Sequence, residues 1–512
     1  MPPGAPTSPS TLALHTPLPL DGVGPVDARR QLEVLQALRA HLPDDCLLAH
    51  AEDTRPYECD ALTMYRQLPM LVALPRTEQQ VSAVLRICHR MGVPVVPRGA
   101  GTSLSGGALP HAGGVLLSMA RFDRIVSLDP LSRIAVVQPG VRNLAISEQA
   151  ARHGLFYAPD PSSQIACTIG GNVAENSGGV HCLKYGLTVH NVLRARAVLS
   201  DGSVAVFGSE ALDSPGLDLL SVLIGSEGML AVVTEVSVRL LPRPQLARCV
   251  MASFDDVEAA GNAVAALIGA GIIPAGLEMM DRPAVAMVEP FAQAGYDLAA
   301  AAILLCESDG TPEEVADEVE RMEQVLRRAG ATRCSVSRDE AERLKMWAGR
   351  KNAFPAAGRV SPDYYCTDGT IPRKRLGEVL KAIGQMESKY GLRCPNVFHA
   401  GDGNLHPLIL YDGCDAGSMA RAEAFGEEIL ELCVRVGGTV TGEHGVGVEK
   451  LGTMCGQFDA PTMQAFFGVR SAFDPATLLN PGKAIPTLAR CAEYGRTHVH
   501  GGRPRFPELP RF

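Results

Sequence analysis

From residue 27 onward the apolar positions come in short blocks separated by glycine, proline or polar turns. Leu32, Leu35, Leu38 and Leu42 recur at helical spacing behind Asp27, a good N-cap, so a helix begins there. The apolar run 70–74 stops at Pro75 and reads as a strand. Thr77 and Gln80 then open a helix in capping-box fashion, with Val81, Val84, Leu85 and Cys88 inward and Gly92 at its end. Residues 93–97 form the next strand, and a β-α-β unit of this kind binds ligands at the loop leaving its second strand.

Downstream of residue 242, strands over 249–254, 275–280, 301–306, 364–371 and 396–400 alternate with helices that follow Asp255 and span 312–328 and 374–390. This order predicts an antiparallel sheet with helices on one face, an α+β unit. A helix after residue 460 and the turn-rich segment 473–483 would bring the chain back to its first half. Residues 1–26 repeat proline among Ser, Thr and Gly and predict a disordered tail; 488–512, with His498 and His500, reads as a second irregular one.

Three glycine-rich loops break this pattern: 97–107, the pair 159–163 and 168–179, and 225–228 leading into the strand-like 230–237. Their backbone N–H groups and hydroxyls suit phosphate oxygens, although none matches G-x-G-x-x-G or a P-loop. One such loop is punctuation, whereas three lining a groove suggest a large phosphate-bearing cofactor. A different chemistry is packed into 399–447. His399 and His406 flank a glycine turn and converge if it forms strand, turn and strand, and Glu443 returns after a helix over 419–436. Two imidazoles and one carboxylate leave coordination positions open, as catalytic metal sites do. The protease patterns H-E-x-x-H and H-x-x-E-H are absent.

Composition narrows this further. The 512 residues exceed one hydrophobic core, so two or more domains are expected. A net charge of −9 excludes an evident nucleic-acid or anionic-membrane surface. The 14 cysteines are dispersed without a Cys-x-x-Cys pair, which predicts reduced thiols and no iron–sulfur cluster in this chain. No apolar run reaches the roughly 20 residues of a membrane span, and the N-terminus lacks a secretory pattern, so a cytoplasmic protein is expected.

The segments 97–107, 159–179 with 183–186, 225–235 and 479–483 together resemble the FAD-linked 2-hydroxy-acid oxidase family of the vanillyl-alcohol-oxidase fold. The resemblance implies a two-subdomain FAD-binding domain over 27–245, a ferredoxin-like α+β cap carrying substrate and metal over 246–460, and a C-terminal return over 461–487. It places the FAD pyrophosphate on Arg98, Gly99, Ala100, Gly101, Thr102 and Ser103. Further FAD contacts fall near Pro159, Asp160, Gly170, Gly171, Asn172, Asn176 and Gly178, with Gly228 on the adenine side. No histidine lies between Arg98 and Gly107, so the flavin is expected to be noncovalent.

By the same resemblance His399, His406 and Glu443 bind a divalent metal (Zn, Mn or Fe), His444 is the catalytic base, and Asn404 orients a ligand or the substrate. Arg350 matches a clamp for the substrate carboxylate. Relatives acting on D-2-hydroxyglutarate have a threonine and a lysine where this chain has Phe354 and Cys366, which argues for a small substrate such as glycolate or D-lactate. The implied activity is FAD-dependent oxidation of a 2-hydroxy acid to the 2-oxo acid. The implied partners are a second subunit with a flavin-type domain and an iron–sulfur subunit, which could hold the protein at the inner face of the cytoplasmic membrane. A stand-alone D-lactate dehydrogenase, a metal-dependent hydrolase and a flavin-free subunit are the alternatives.

Overall fold

The computed structural model describes residues 25–211 and 216–486; most of the expected N-terminal tail, and the C-terminal tail with His498 and His500, lie outside them. Helix α1 (Ala28–Arg39) starts at Asp27, whose carboxylate accepts from the backbone of Arg29 and Arg30. Its buried stripe is Val34, Leu35 and Leu38, whereas Leu32 is 57% exposed. Leu32 stands about 200° around the helix from Val34, on the far side from the core.

The first sheet runs β1 (Leu47–Leu48), β2 (Leu71–Ala73), β4 (Val115–Ser118), β3 (Val95–Arg98) in spatial order. Strand β4 lies parallel to both β2 and β3 and separates them. Helix α2 (Glu78–Met91) connects β2 to β3, capped by the Thr77 hydroxyl and ended by Gly92 in the left-handed region. The Gln80 side chain receives the N–H of Arg76, one residue earlier than a capping box requires. Val81, Val84, Leu85 and Cys88 share one core with α1, the sheet and Leu479. Asn480 donates to the carbonyl of Val95, so the turn near 480 is hydrogen-bonded to β3.

A second, antiparallel sheet has the order β5 (Ile125–Asp129), β6 (Ile134–Val137), β9 (Val232–Arg239), β7 (Val192–Val198), β8 (Val204–Gly208). Helix α3 (Ile169–Glu175) packs Ile169 and Val173 into the core of this sheet.

The third sheet has the order β13 (Arg333–Val336), β10 (Leu246–Phe254), β12 (Ala302–Gly310), β11 (Gly276–Asp281), β15 (Val397–His399), antiparallel throughout. Its first four strands follow the ferredoxin-like arrangement, with α4 (Val257–Gly269) and α5 (Pro312–Arg328) in the two crossovers. Helices cover both faces, not one as the sequence suggests. Val250, Ala252 and Phe254 face α4 and α5, while Cys249 and Met251 face α6 (Glu340–Lys351) and α7 (Ala353–Val360). The cause is legible in β11 and β12, whose residues are buried on both sides of the pleat. Residues 364–371 do not join this sheet: β14 (Asp363–Cys366) pairs only with β16 (Leu408–Tyr411). Helices α8 (Leu376–Tyr390) and α9 (Ser418–Arg435) close this core.

Twelve of the described cysteines are free thiols, most of them buried; Cys455 is disulfide-bonded, against the expectation of reduced thiols throughout.

Candidate functional site

Strand β15 ends at His399, and its backbone then turns through Gly403, which adopts a φ of +83°. A Cβ at Gly403 would stand 2.1 Å from the carbonyl oxygen of Ile371, so only glycine lets the turn pass. The turn returns as a strand, with His399 receiving the N–H of Gly403 and donating its own to Asn404, and brings the two imidazoles 5.0 Å apart, edge to face. Glu443 Oε1 lies 3.2 Å from His399 Nε2 and 3.1 Å from His406 Nε2. Donors about 2.1 Å from a tetrahedral ion stand about 3.4 Å from one another, so this set fits a divalent metal.

The charge behind the histidines was not visible in the sequence motif. Glu278, in the middle of β11, places Oε1 2.6 Å from His399 Nδ1 and Oε2 2.6 Å from Arg350 Nε. The first contact orients the His399 ring and directs its Nε2 at Glu443. Burial works against the Glu278 charge, but Arg350 and His399 hold its carboxyl below the ordinary range. Glu443 is likewise held well below it by His399 and His406, although burial opposes this. A carboxylate in the middle of β11, between Leu277 and Met279, is the one signal that could have pointed to Glu278.

The segment 441–447 is shaped by two buried carboxylates from elsewhere in the chain. Asp368 Oδ2 accepts from the N–H groups of Gly442, Glu443 and His444 at 3.0, 2.8 and 2.7 Å, and its other oxygen pairs with the buried Lys450. Burial disfavours the Asp368 charge, yet Lys450 and His444 bring the carboxyl down to about 2. Glu227 accepts from Val446 and Gly447 at 2.7 and 2.8 Å. Gly445 has a φ of +81°, and a Cβ there would stand 2.1 Å from Glu175 Oε2.

His444 stacks on His406 at 4.9 Å, with Nδ1 buried without a hydrogen bond and 4.0 Å from Asp368 Oδ2. Burial pushes this ring down to about 4 against the pull of Asp368, so it is neutral at neutral pH and can accept a proton. The Ser105 hydroxyl donates to the His444 carbonyl at 2.9 Å, which ties the first glycine loop to the histidine. Cys366 lies under His406 and His444; one ligand atom from each of the three falls within 4.8 Å of the others.

A cavity of about 600 Å³ joins these groups to the glycine loops. Arg98, Gly99, Ala100, Gly101, Thr102, Ser103, Gly170, Gly171, Asn172 and Gly228 line it together with His406, Glu443, His444, Arg350 and Phe354. The loops touch: a Cβ at Gly99 would stand 2.5 Å from Thr168 Oγ1, itself buried without a partner in the cavity wall. Close-approach glycines, an unpartnered hydroxyl and a volume in the range of cofactor pockets fit an extended dinucleotide such as FAD.

Four expected flavin contacts do not line this cavity. The Pro159 carbonyl accepts from Asn143, Asp160 pairs with His181 at 2.7 Å, and Asn176 ends α3 with a φ of +52° while accepting from Val189. Gly178 stands behind Glu443, beside Asn404, in a second cavity. Arg350 does reach the main cavity, with its Nη2 buried and unpartnered. Phe354 stands in the same wall, 5.7 Å from the ring of Tyr364.

Comparison with known proteins follows this division. The family described as FAD linked oxidases, C-terminal domain, matches residues 243–484, and the FAD binding domain family matches residues 69–208. Glycolate oxidase subunit GlcD of Escherichia coli (strain K12) is 59% identical over 96% of this chain and 98% of its own length. The subunit of the same name from Bacillus subtilis (strain 168) is 38% identical over 85% and 93%. A D-lactate dehydrogenase of Anaerostipes hadrus is 29% identical over 88% and 97%. Among solved structures, 4-ethylphenol oxidase from Gulosibacter chungangensis superposes with a TM-score of 0.76 at 16% identity, covering 92% of this chain and all of that one (100%). A p-cresol methylhydroxylase gives 0.75 at 17%, over 91% and 98%; both share the fold.

Proposed function

Because this chain belongs to the family of FAD-linked oxidases, we propose that it oxidises a small 2-hydroxy acid, glycolate foremost, to the 2-oxo acid with FAD as its cofactor. The observation that carries this reading is one cavity lined both by the glycine loops and by His406, Glu443 and His444. A metal-dependent hydrolase has no use for the loop end, and the family match sets that alternative aside. D-lactate is the second substrate to test, on the strength of the D-lactate dehydrogenase relative.

Bound FAD supplies the hydride acceptor, and a divalent ion on His399, His406 and Glu443 supplies Lewis acidity. His444 takes the proton of the substrate's C2 hydroxyl at Nε2, and Asp368, 4.0 Å from Nδ1, stabilises the imidazolium that results. Arg350 Nη2 meets the substrate carboxylate, while its Nε stays committed to Glu278. Phe354 and Tyr364 close the wall beside them against a longer acid. Asn404 lies behind Glu443 and supports the metal side, not the substrate.

The division at residues 245, 460 and 487 belongs to the same proposal, supported by the separate cores of the first two sheets and the third. So does the role of flavin subunit in a glycolate oxidase complex, where an iron–sulfur partner and a second subunit with a flavin-type domain carry electrons onward. The reading places the protein in the cytoplasm, reaching the membrane only through partners; among the described residues no helix is long and apolar enough to cross one. Turnover of glycolate and D-lactate with a dye acceptor, with and without co-purified partners, tests the proposal. Oxidation of neither acid by the flavin-loaded protein would refute it.

A further inference from the structure

Two cavities meet at Glu443, and their walls differ in charge: cations and carboxylates are mixed in one, and the other has carboxylates without lysine or arginine among the described residues. The flavin-side cavity has Arg98, Arg350 and Lys351 in its wall, which suit phosphates and a carboxylate substrate, beside the carboxylates of Glu175, Glu227 and Glu443. Behind the Glu443 carboxylate, a second cavity of about 440 Å³ runs between the segment 178–190 and the turns at 402–404 and 437–442. Its wall holds the carboxylates of Asp402 and Glu443, the hydroxyls of Thr370 and Thr439, and Asn404; among the described residues no lysine or arginine lines it. Asp402 is exposed and Asn404 is buried, so the cavity has a mouth and an inner end. At that inner end Asn404 Oδ1 is buried without a hydrogen-bond partner.

Oxygen donors of this kind, negative at both ends and neutral between, attract a divalent cation and repel a hydroxy-acid anion. The flavin-side cavity is the poorer path for the cation: in the proposed enzyme it holds FAD and the substrate, and Arg98, Arg350 and Lys351 offset the carboxylates in its wall. We infer that the second cavity is the route by which the divalent cation reaches His399, His406 and Glu443. Asp402 collects the ion at the mouth, and the free Asn404 Oδ1 passes it to the Glu443 carboxylate. This inference rests on the metal site proposed above.

Zinc added alone to demetallated, FAD-retaining protein is the probe, with a fluorescent zinc indicator following uptake and excess chelator drawing it out. Asp402→Asn keeps the acceptor for the Asn404 N–H, which lies 3.0 Å from Asp402 Oδ1, but removes the charge. Uptake is expected to slow about 7-fold at low ionic strength and to lose most of its salt dependence, as for one carboxylate charge acting on a divalent ion across about 7 Å of water. Leu187→Trp narrows the cavity from its wall. It is expected to slow uptake and release by the same factor and to leave zinc stoichiometry and affinity unchanged, because a blocked path alters both directions equally.

Wild-type rates of uptake and release in both variants would overturn the route, as would a fall in kcat/KM for glycolate with zinc rates untouched. Failure of the wild-type protein to take up zinc would remove the metal site itself, and the route with it. If Leu187→Trp does not fold, the rate and salt dependence of Asp402→Asn decide alone.

Discussion

Replacing Glu278 by glutamine keeps the shape of a buried side chain and removes the charge that two N–H donors share. In the wild type, Oε1 lies 2.6 Å from His399 Nδ1 and Oε2 2.6 Å from Arg350 Nε, with Arg350 and Glu278 only 3% and 1% exposed. Glutamine offers one acceptor, so its amide N–H groups face one of the two donors. Breaking a buried pair in this way costs about 3–5 kcal/mol of stability. Loss of the carboxylate that orients a ligating histidine lowers metal affinity about 10- to 100-fold, equivalent to about 1.4–2.8 kcal/mol. Urea unfolding of the metal-free protein reads the first quantity, and a metal titration reads the second. The double variant Glu278→Gln/Arg350→Gln pairs two neutral amides and should recover part of the stability without recovering metal affinity. A metal Kd within twofold of wild type in Glu278→Gln, alongside the expected loss of stability, would refute the orienting role.

Three further outcomes follow from the same contacts. His444→Gln should retain FAD and metal yet lower turnover by about 10²- to 10⁴-fold, read in a dye-coupled assay; near-normal turnover would remove His444 as the base. Gly445→Ala forces a left-handed backbone onto an alanine whose Cβ meets Glu175 and should cost at least about 1–3 kcal/mol in denaturant unfolding, with loss of activity. His181 is held between Asp160 at 2.7 Å and Glu307 at 3.2 Å. Burial opposes its charge, but the two carboxylates raise the ring well above 6.5. The folded protein therefore binds this proton more tightly than the unfolded chain, so the contribution is full below about pH 6.5 and is lost as pH rises through the folded value. Stability should fall over that window in the wild type, and the corresponding part of the slope should be missing in His181→Gln.

The sequence carried the site as far as local spacing reaches. His399, His406 and Glu443 stood out because glycines and ligands crowd two short segments, and the loop 97–103 stood out because a β-strand feeds directly into it. The residues that position them did not, since Glu278, Asp368 and Glu227 come from distant segments and nothing in their own neighbourhood names a partner. Asp160 shows the same limit from the other side: its loop is read from local spacing, but that spacing does not show that the fold turns its carboxylate to His181. Helix α1 and the third sheet fail for a related reason. Periodicity finds an apolar stripe, but which edge of it is covered, as at Leu32, or whether both faces of a sheet are, as at β10, depends on elements far beyond the window that periodicity reads.

In the proposed enzyme one substrate meets the flavin and the metal-site histidines within a single cavity. Anaerobic mixing with glycolate, followed by the visible absorption of the flavin, tests it most directly when run before chelation, after chelation and after metal is restored. The account predicts rapid bleaching, its loss with FAD still bound, and its return. Bleaching at an unchanged rate in the chelated protein would contradict it.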